Sequence, residues 1–129
     1  MKRSLNIAAI VLTTLLLLGF AILSVRGLID PQQASARYGE KVSDPAGALF
    51  CRAYLSRNLV IAVAGAIFLL LGQWRALAIL VSATVALPLF DMSVLSSDGV
   101  TPPLTHPVSL VLLALTATLL WFRARRTAS

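Results

Sequence analysis

Apolar residues in this chain are concentrated in four long stretches, which cover approximately residues 5–25, 49–71, 76–95 and 106–122. An α-helix needs about 20 predominantly apolar residues to cross the hydrocarbon core of a bilayer. The fourth stretch is the shortest, so we expect its helix to begin near Thr105 or the bilayer to thin locally. The pattern predicts an all-α fold, a four-helix transmembrane bundle that forms a single integral membrane domain over residues 1–129.

The first loop, between the first two stretches, is polar and carries the signals of a short helix. Asp30 suits the N-cap position and Pro31 suits the first helical position. Gly39 is a suitable residue to end the helix, because glycine adopts the left-handed conformation that often follows a helix. We therefore predict a short interfacial helix over 31–38, at the membrane surface or folded back over the bundle.

The connection between the second and third stretches is a tight turn over residues 72–75. A turn this short predicts that the two helices are antiparallel neighbours. Pro88 predicts a kink in the third helix, because proline lacks the backbone N–H that the helical ladder needs.

Small residues recur in the two central stretches, at intervals of four or nearly so; they are Ala62, Gly65, Ala66, Ala78, Ser82 and Ala86. Apolar burial does not drive helices together in lipid, so association depends on close packing and polar contacts. These stripes therefore predict close helix packing. The Ser and Thr hydroxyls of the first and fourth stretches are expected to bond to carbonyls of their own preceding turn.

The composition agrees with a lipid environment. Hydrophobic residues make up 58% of the chain and charged residues 12%, and the mean hydropathy is +0.88. Soluble domains have about 25% charged residues. We expect no nucleic-acid partner despite the net charge of +6, because the basic residues form no continuous face. Cys51 is the single cysteine, so an intrachain disulfide and a cysteine-based metal site are excluded.

Basic residues flank the apolar stretches and predict an orientation; they are Lys2, Arg3, Arg75, Arg123, Arg125 and Arg126. Placing these on the inside gives a multi-pass protein of the cell (inner) membrane with both termini in the cytoplasm. The first stretch also permits a signal peptide. Its length and its lack of a suitable cleavage site favour a retained helix.

Two ionisable residues, Arg57 and Asp91, lie well inside the apolar stretches. Each is 17 residues from Trp74 in the connecting turn, which at 1.5 Å per residue places both roughly 25 Å from that turn. Pairing lowers the cost of a charge inside a membrane. The sequence therefore predicts an Arg57–Asp91 salt bridge just inside the outer face.

Other polar residues are expected near this pair. We take Arg57, Asn58, Asp91 and Arg26 as ligand-binding candidates, and predict no catalytic residue, metal site or cofactor. The pair can instead only fix the helix register, or Arg57 can snorkel outward. His106 is expected in a solvated loop without a role as base or ligand.

A series of short motifs runs from Arg26 to the fourth stretch. They are Arg26-Gly27-Leu28, Asp30-Pro31, Tyr38-Gly39, Arg57, Gly72-Gln73-Trp74-Arg75-Ala76-Leu77 and Leu87-Pro88-Leu89-Phe90-Asp91. Their order resembles the membrane-protein family known as domain of unknown function 4267. The resemblance implies a four-helix integral membrane protein and supplies no reaction. The chain departs from the family pattern at Asn58, where an acidic residue is common, and at Phe90, where glycine is common.

Three functions remain open. The favoured one is a non-catalytic bundle that sits in the lipid bilayer and self-associates or assembles with a membrane protein partner, because the chain has small-residue stripes and no credible catalytic set. An alternative is a lipid- or isoprenoid-handling protein, possibly an enzyme, with a polar pocket at Arg57 and Asp91. A small proton-coupled transporter is less favoured, since Asp91 lies near one face and the first helix has no carboxylate.

Overall fold

The computed structural model describes residues 2–126, with side chains from residue 4 onward. Within that part the chain forms helices and no strand. The helices are α1 (Lys2–Ile29), α2 (Pro31–Tyr38), α3 (Pro45–Leu70), α4 (Trp74–Thr84), α5 (Ala86–Ser97) and α6 (Thr105–Arg126). Four helical units, with α4 and α5 counted as one, are long and apolar enough to cross a membrane. The predicted all-α bundle with a short helix in the first loop is confirmed.

Aspartate–proline pairs begin both α2 and α3. Asp30 Oδ1 accepts a hydrogen bond from the Gln33 backbone N–H at 2.9 Å, and Asp44 Oδ1 accepts one from Gly47 at 2.9 Å. A proline follows each cap, at the position where the missing N–H would have no helical partner. The Asp44 cap starts α3 at Pro45, four residues before the apolar stretch itself.

The short helix α2 is folded back onto the bundle. α1 continues to Ile29, so Asp30 alone separates α1 from α2, and α2 contacts both α1 and α3. Gly39 ends α2 with a φ of 141°, in the region that glycine tolerates best. The N–H groups of Gly39 and Glu40 both bond to the Ser35 carbonyl, at 3.1 and 3.3 Å.

The third span is broken at Val85, where α4 ends and α5 begins. Pro88 is the fourth residue after Thr84, so the Thr84 carbonyl lacks the usual hydrogen bond from the following turn. Thr84 Oγ1 itself donates to the Leu80 carbonyl at 2.7 Å. The interruption predicted at Pro88 is therefore present, and it lies one turn before the proline.

The spans run alternately up and down. α1 packs mainly against α3 and α4 mainly against α6, while contacts of α1 with α6 and of α3 with α4 complete the bundle. Buried apolar residues of α4 and α6 form the core cluster, which consists of Leu77, Ala78, Val81, Leu113, Ala117 and Leu120. Hydroxyls bond within their own helices as predicted, at Thr13, Thr14, Ser109, Thr116 and Thr118.

The two ends of the bundle differ in chemistry. At one end, which we call the basic end, the Arg123 guanidinium lies 3.7 Å from the Trp74 ring centroid and donates to the Asn6 carbonyl at 3.4 Å. The start of α1, the turn before α4 and the end of α6 therefore meet there. The opposite end, the loop end, carries α2 and the loop over residues 98–104. The Lys2 and Arg3 side chains, used in the orientation prediction, lie outside the described residues.

Candidate functional site

Asp91 is the centre of the polar contacts at the loop end. The Tyr38 hydroxyl on α2 donates to Asp91 Oδ1 at 3.2 Å, and the Tyr54 hydroxyl on α3 donates to Oδ2 at 3.4 Å. His106 Nδ1 on α6 lies 3.7 Å from the same Oδ2. Three helices thus direct a polar side chain toward one carboxylate on α5.

His106 lies in the first turn of α6 and is only 8% exposed. Its Nε2 is 2.9 Å from the backbone carbonyl oxygen of Tyr38, and its ring meets the Tyr38 ring edge-on with centroids 5.2 Å apart. The expectation of a solvated His106 was wrong. α6 begins at Thr105, which includes His106 in the helix and turns it toward Asp91.

The Arg57–Asp91 salt bridge is not formed. The Arg57 side chain is exposed, and it makes no ion pair or hydrogen bond with any residue that the structure describes. The predicted depth of Arg57 along α3 was nearly right, because Tyr54, which lies one turn away on α3, contacts Asp91. Three residues turn a helix about 60° short of a full circle. Asn58 points into the lining of the cavity beside Asp91, and Arg57, about 100° from Asn58 around the helix, is exposed at the flank of this face.

A cavity of about 250 Å³, which we call the Asp91 cavity, lies beside this cluster. Its polar lining includes Arg26, Arg37, Tyr38, Asn58, Asp91 and His106, and its apolar lining includes Phe20, Leu23, Leu55, Leu87 and Leu113. Of the four residues predicted to bind a ligand, three line this cavity and Arg57 does not. The structure thus brings Arg26, Asn58 and Asp91 to one place.

Several residues of this site were missed in the sequence. Tyr38, Tyr54, Arg37 and His106 were not among the candidates. Two signals pointed to the tyrosines: Tyr38 immediately precedes the glycine that ends α2, and Tyr54 lies four residues before Asn58. Residues four apart share a helix face, so Asn58 and Tyr54 had to face the same way.

The lining of the Asp91 cavity contains two arginines and two aspartates, and only the arginines lack strong hydrogen-bond partners among the described residues. Both carboxylates in its lining already have partners, because Asp30 caps α2 and Asp91 receives the contacts described above. The Arg26 guanidinium is exposed and has no bonded partner within residues 2–126. Arg37 donates only to the neutral Gln33 side chain, at 3.1 Å.

A second cavity of about 560 Å³ lies next to the first, beside the loop over residues 40–44. The two cavities share Tyr38 and Tyr54 in their linings, so the tyrosines stand between them. Cys51 lines only the second cavity, with its Sγ 3.5 Å from the Pro31 carbonyl. Within the described residues, no group of three or more His, Cys, Asp or Glu side chains is arranged to hold a metal ion.

Tyr38 provides a pH-dependent readout of this geometry. Burial, then the nearby Asp91 charge and the hydrogen bond to it, raise the pKa of Tyr38 to about 12. The chain has two tyrosines, so Tyr54→Phe leaves Tyr38 as the single tyrosine. In that variant we expect the phenolate absorbance of Tyr38 to appear near pH 12 rather than near the usual ~10. Adding Asp91→Asn should move the midpoint toward 10; an unchanged midpoint would show that Asp91 does not face Tyr38.

The same pKa gives a direction for stability. The neutral phenol is favoured in the folded state, so its contribution to stability is complete below pH 10. That contribution is lost as the pH rises through the folded pKa of about 12. In a Tyr54→Phe background, which removes the other tyrosine, Tyr38→Phe should abolish this dependence between pH 10 and 12, measured as unfolding in denaturant.

The exterior of the bundle is largely apolar. Large apolar side chains are exposed along the outer faces, among them Ile29 at 76%, Phe50 at 76% and Leu70 at 86%. Large apolar surfaces of this kind mark contact with a membrane or with other proteins. Fold and surface together define a small helical protein with four units long and apolar enough to cross a membrane.

The chain belongs to the family described as Domain of unknown function (DUF4267), whose family model matches residues 17–120. The suspected family is therefore confirmed. No curated protein and no solved structure matches the chain. The family description assigns no activity, so the function has to be argued from the site.

Proposed function

We propose that this chain is an integral membrane protein that binds a small amphiphilic anion in the Asp91 cavity. One observation carries the proposal: two guanidiniums and several large apolar side chains line one cavity, and neither guanidinium forms a salt bridge with any residue that the structure describes. Guanidinium groups suit the planar recognition of carboxylate and phosphate groups. The apolar lining suits the hydrocarbon that such a group carries.

The apolar surface and the chemistry of the two ends of the bundle support the membrane setting that we propose. The basic end carries Arg75, Arg123, Arg125 and Arg126, which favours the cytoplasmic side of the cell (inner) membrane. An even number of spans then puts both termini in the cytoplasm. The loop end, with the Asp91 cavity, lies under the headgroups of the outer leaflet in this arrangement.

The size of the cavity limits the ligands that it can bind. At about 250 Å³ it is slightly smaller than the ~300–1,000 Å³ of ordinary ligand pockets. The headgroup and the first carbons of an amphiphile fit, while a longer tail has to leave the bundle for the lipid. A fatty acid, a phospholipid and a prenyl phosphate share this chemistry.

Binding of decyl phosphate to the purified protein in a maltoside detergent tests the proposal, with native mass spectrometry as the readout. The Arg26→Gln, Arg37→Gln double variant should bind at least about tenfold more weakly, because each charge-assisted hydrogen bond contributes roughly 1.5–3 kcal/mol. Arg57→Gln is the control, since it removes an exposed arginine outside the cavity. It should bind like the wild type.

Three further ligands separate the sources of affinity. Decanoate should compete with decyl phosphate, inorganic phosphate should not, and decyltrimethylammonium should bind no better to the wild type than to the double variant. Equal loss of binding in the double variant and in Arg57→Gln would reject the cavity as the binding site.

Self-association or assembly with a membrane protein partner remains a prediction. Three of the six small residues that suggested it are buried within the chain. Ala62 and Ala78 are 3% and 0% exposed, and Gly65 faces Leu17 of α1. We therefore give preference to the Asp91 cavity, on which the polar contacts converge.

A further inference from the structure

We propose that Asp91 and His106 share one labile proton and form a proton-transfer pair that acts on the headgroup held in the Asp91 cavity. The identity of that headgroup rests on the proposed function, whereas the sharing of the proton rests on geometry alone. The site would then protonate and deprotonate an amphiphilic carboxylate or phosphate, in addition to holding it.

The histidine ring nitrogens carry the argument. His106 Nε2 lies 2.9 Å from the Tyr38 backbone carbonyl, and a carbonyl oxygen only accepts hydrogen bonds, so Nε2 bears a proton. In a neutral imidazole with Nε2 protonated, Nδ1 is an acceptor. This Nδ1 faces Asp91 Oδ2 at 3.7 Å, and an acceptor facing a carboxylate is repulsive. A proton on either Nδ1 or the carboxyl group removes that repulsion.

The polar groups around the pair allow the proton to leave. The Tyr38 and Tyr54 hydroxyls donate to the two Asp91 oxygens from α2 and α3, and hydrogen bonds of this kind stabilise a carboxylate. Arg26 on α1 and Arg37 on α2 line the same cavity. The Asp30 carboxylate lines the cavity as well and offsets these cations. The two tyrosine hydroxyls therefore supply the main stabilisation of the pair once it has given up its proton.

The transfer is balanced without any other reactant. The N–H or O–H bond that holds the shared proton breaks, and an O–H bond forms on an oxygen of the bound headgroup. The pair is left as neutral imidazole and carboxylate, and the reverse step restores it. Hydrogen bonds in unliganded sites are often longer than in the working complex, so a separation of 3.7 Å suits a pair that tightens on binding.

The two tyrosines that contact Asp91 also separate the Asp91 cavity from the second cavity. Tyr38 and Tyr54 line both the Asp91 cavity and the second cavity. Both tyrosine hydroxyls donate hydrogen bonds to the Asp91 carboxylate.

Nitrogen-15 NMR of histidine-labelled protein tests the shared proton, because His106 is the only histidine in the chain. The full chain is purified at pH 7 in detergent with an affinity tag that contains no histidine. Infrared difference spectra against Asp91→Asn identify the Asp91 carboxyl group. We expect Nε2 to be protonated, together with either a protonated Nδ1 or a protonated Asp91. An unprotonated Nδ1 beside an ionised Asp91 would overturn the proposal.

Addition of decyl phosphate tests the action on the headgroup. The His106 ring signals should shift in the wild type and in Arg57→Gln, and in the Arg26→Gln, Arg37→Gln double variant they should shift only at decyl phosphate concentrations at least about tenfold higher. If decyl phosphate binds by mass spectrometry but leaves the His106 signals unchanged, the pair does not act on the ligand. If decyl phosphate does not bind at all, the proposed function fails, while the shared proton in the free protein is decided by the first experiment.

Discussion

Asp91→Asn is expected to lower the free energy of unfolding by about 2 kcal/mol, since hydrogen bonds to charged groups contribute roughly 1.5–3 kcal/mol each. Asparagine retains one acceptor oxygen, but its NH₂ group then faces either a tyrosine hydroxyl or His106. The end of α2 is held to the bundle through Tyr38, which contacts both Asp91 and His106. The variant should therefore also loosen α2 and weaken binding of decyl phosphate.

Unfolding in sodium dodecyl sulfate, followed by tryptophan fluorescence, measures this effect. Asp98 is an exposed carboxylate just beyond α5. Asp98→Asn is the matched control, because it makes the same change in net charge as Asp91→Asn. It should leave the unfolding midpoint nearly unchanged. If both variants shift the midpoint equally, general electrostatics rather than the Asp91 contacts is responsible.

Gly27→Ala is expected to destabilise the protein by about 1–3 kcal/mol, the usual cost of overpacking a tight contact. A Cβ at this position would overlap the Leu55 side chain and would lie 2.9 Å from the Ala34 Cβ. The tip of Leu55 can rotate away. The Ala34 Cβ is fixed to the backbone of α2, so α1 and α2 would have to separate next to the Asp91 cavity.

Gly19→Ala provides the control on the same helix. No atom lies within 4 Å of a Cβ built at Gly19, and alanine is favoured over glycine in a helix by about 1 kcal/mol. The two substitutions should therefore change stability in opposite directions, as measured by the same unfolding assay. A Gly27→Ala variant as stable as Gly19→Ala would show that α1, α2 and α3 do not meet closely at Gly27.

The elements of this fold are visible in the sequence because local physics determines them. Apolar stretches of membrane-spanning length give the four helical units, and the side chains of Asp30 and Asp44 satisfy the free N–H groups at the starts of α2 and α3. Pro88 removes one backbone donor and accounts for the break at Val85. Each of these effects depends only on residues that are close to one another in the sequence.

The site was less predictable, because it depends on how each helix is rotated. The apolar residues of α3 surround the helix on all sides, so the sequence has no polar face that fixes its rotation. Depth alone paired Arg57 with Asp91, while the rotation of α3 points Tyr54 and Asn58 inward instead. His106 was misplaced for a different reason: the sequence does not show that the first turn of α6 packs against Tyr38 and Asp91, which buries the imidazole.

The local sequence pattern also did not predict which helices pack against each other. The short turn at Gly72 does make α3 and α4 neighbours, yet α3 packs mainly against α1. Gly65 on α3 lies close to Leu17 of α1. The sequence of either segment alone does not predict such a contact between distant segments. The small residues predicted close packing correctly without indicating the partner.

A double-mutant cycle tests most directly the central claim that the loop-end site is built on Asp91 and its contacts with Tyr38 and His106. Unfolding free energies are measured for Asp91→Asn and Tyr38→Phe, singly and combined, and in parallel for Asp91→Asn and Arg57→Gln. Residues in contact couple by roughly 0.5–3 kcal/mol, and separated residues by less than about 0.5. We expect coupling between Tyr38 and Asp91 and none between Arg57 and Asp91. Coupling of Arg57 with Asp91, with Tyr38 independent of both, would contradict the site.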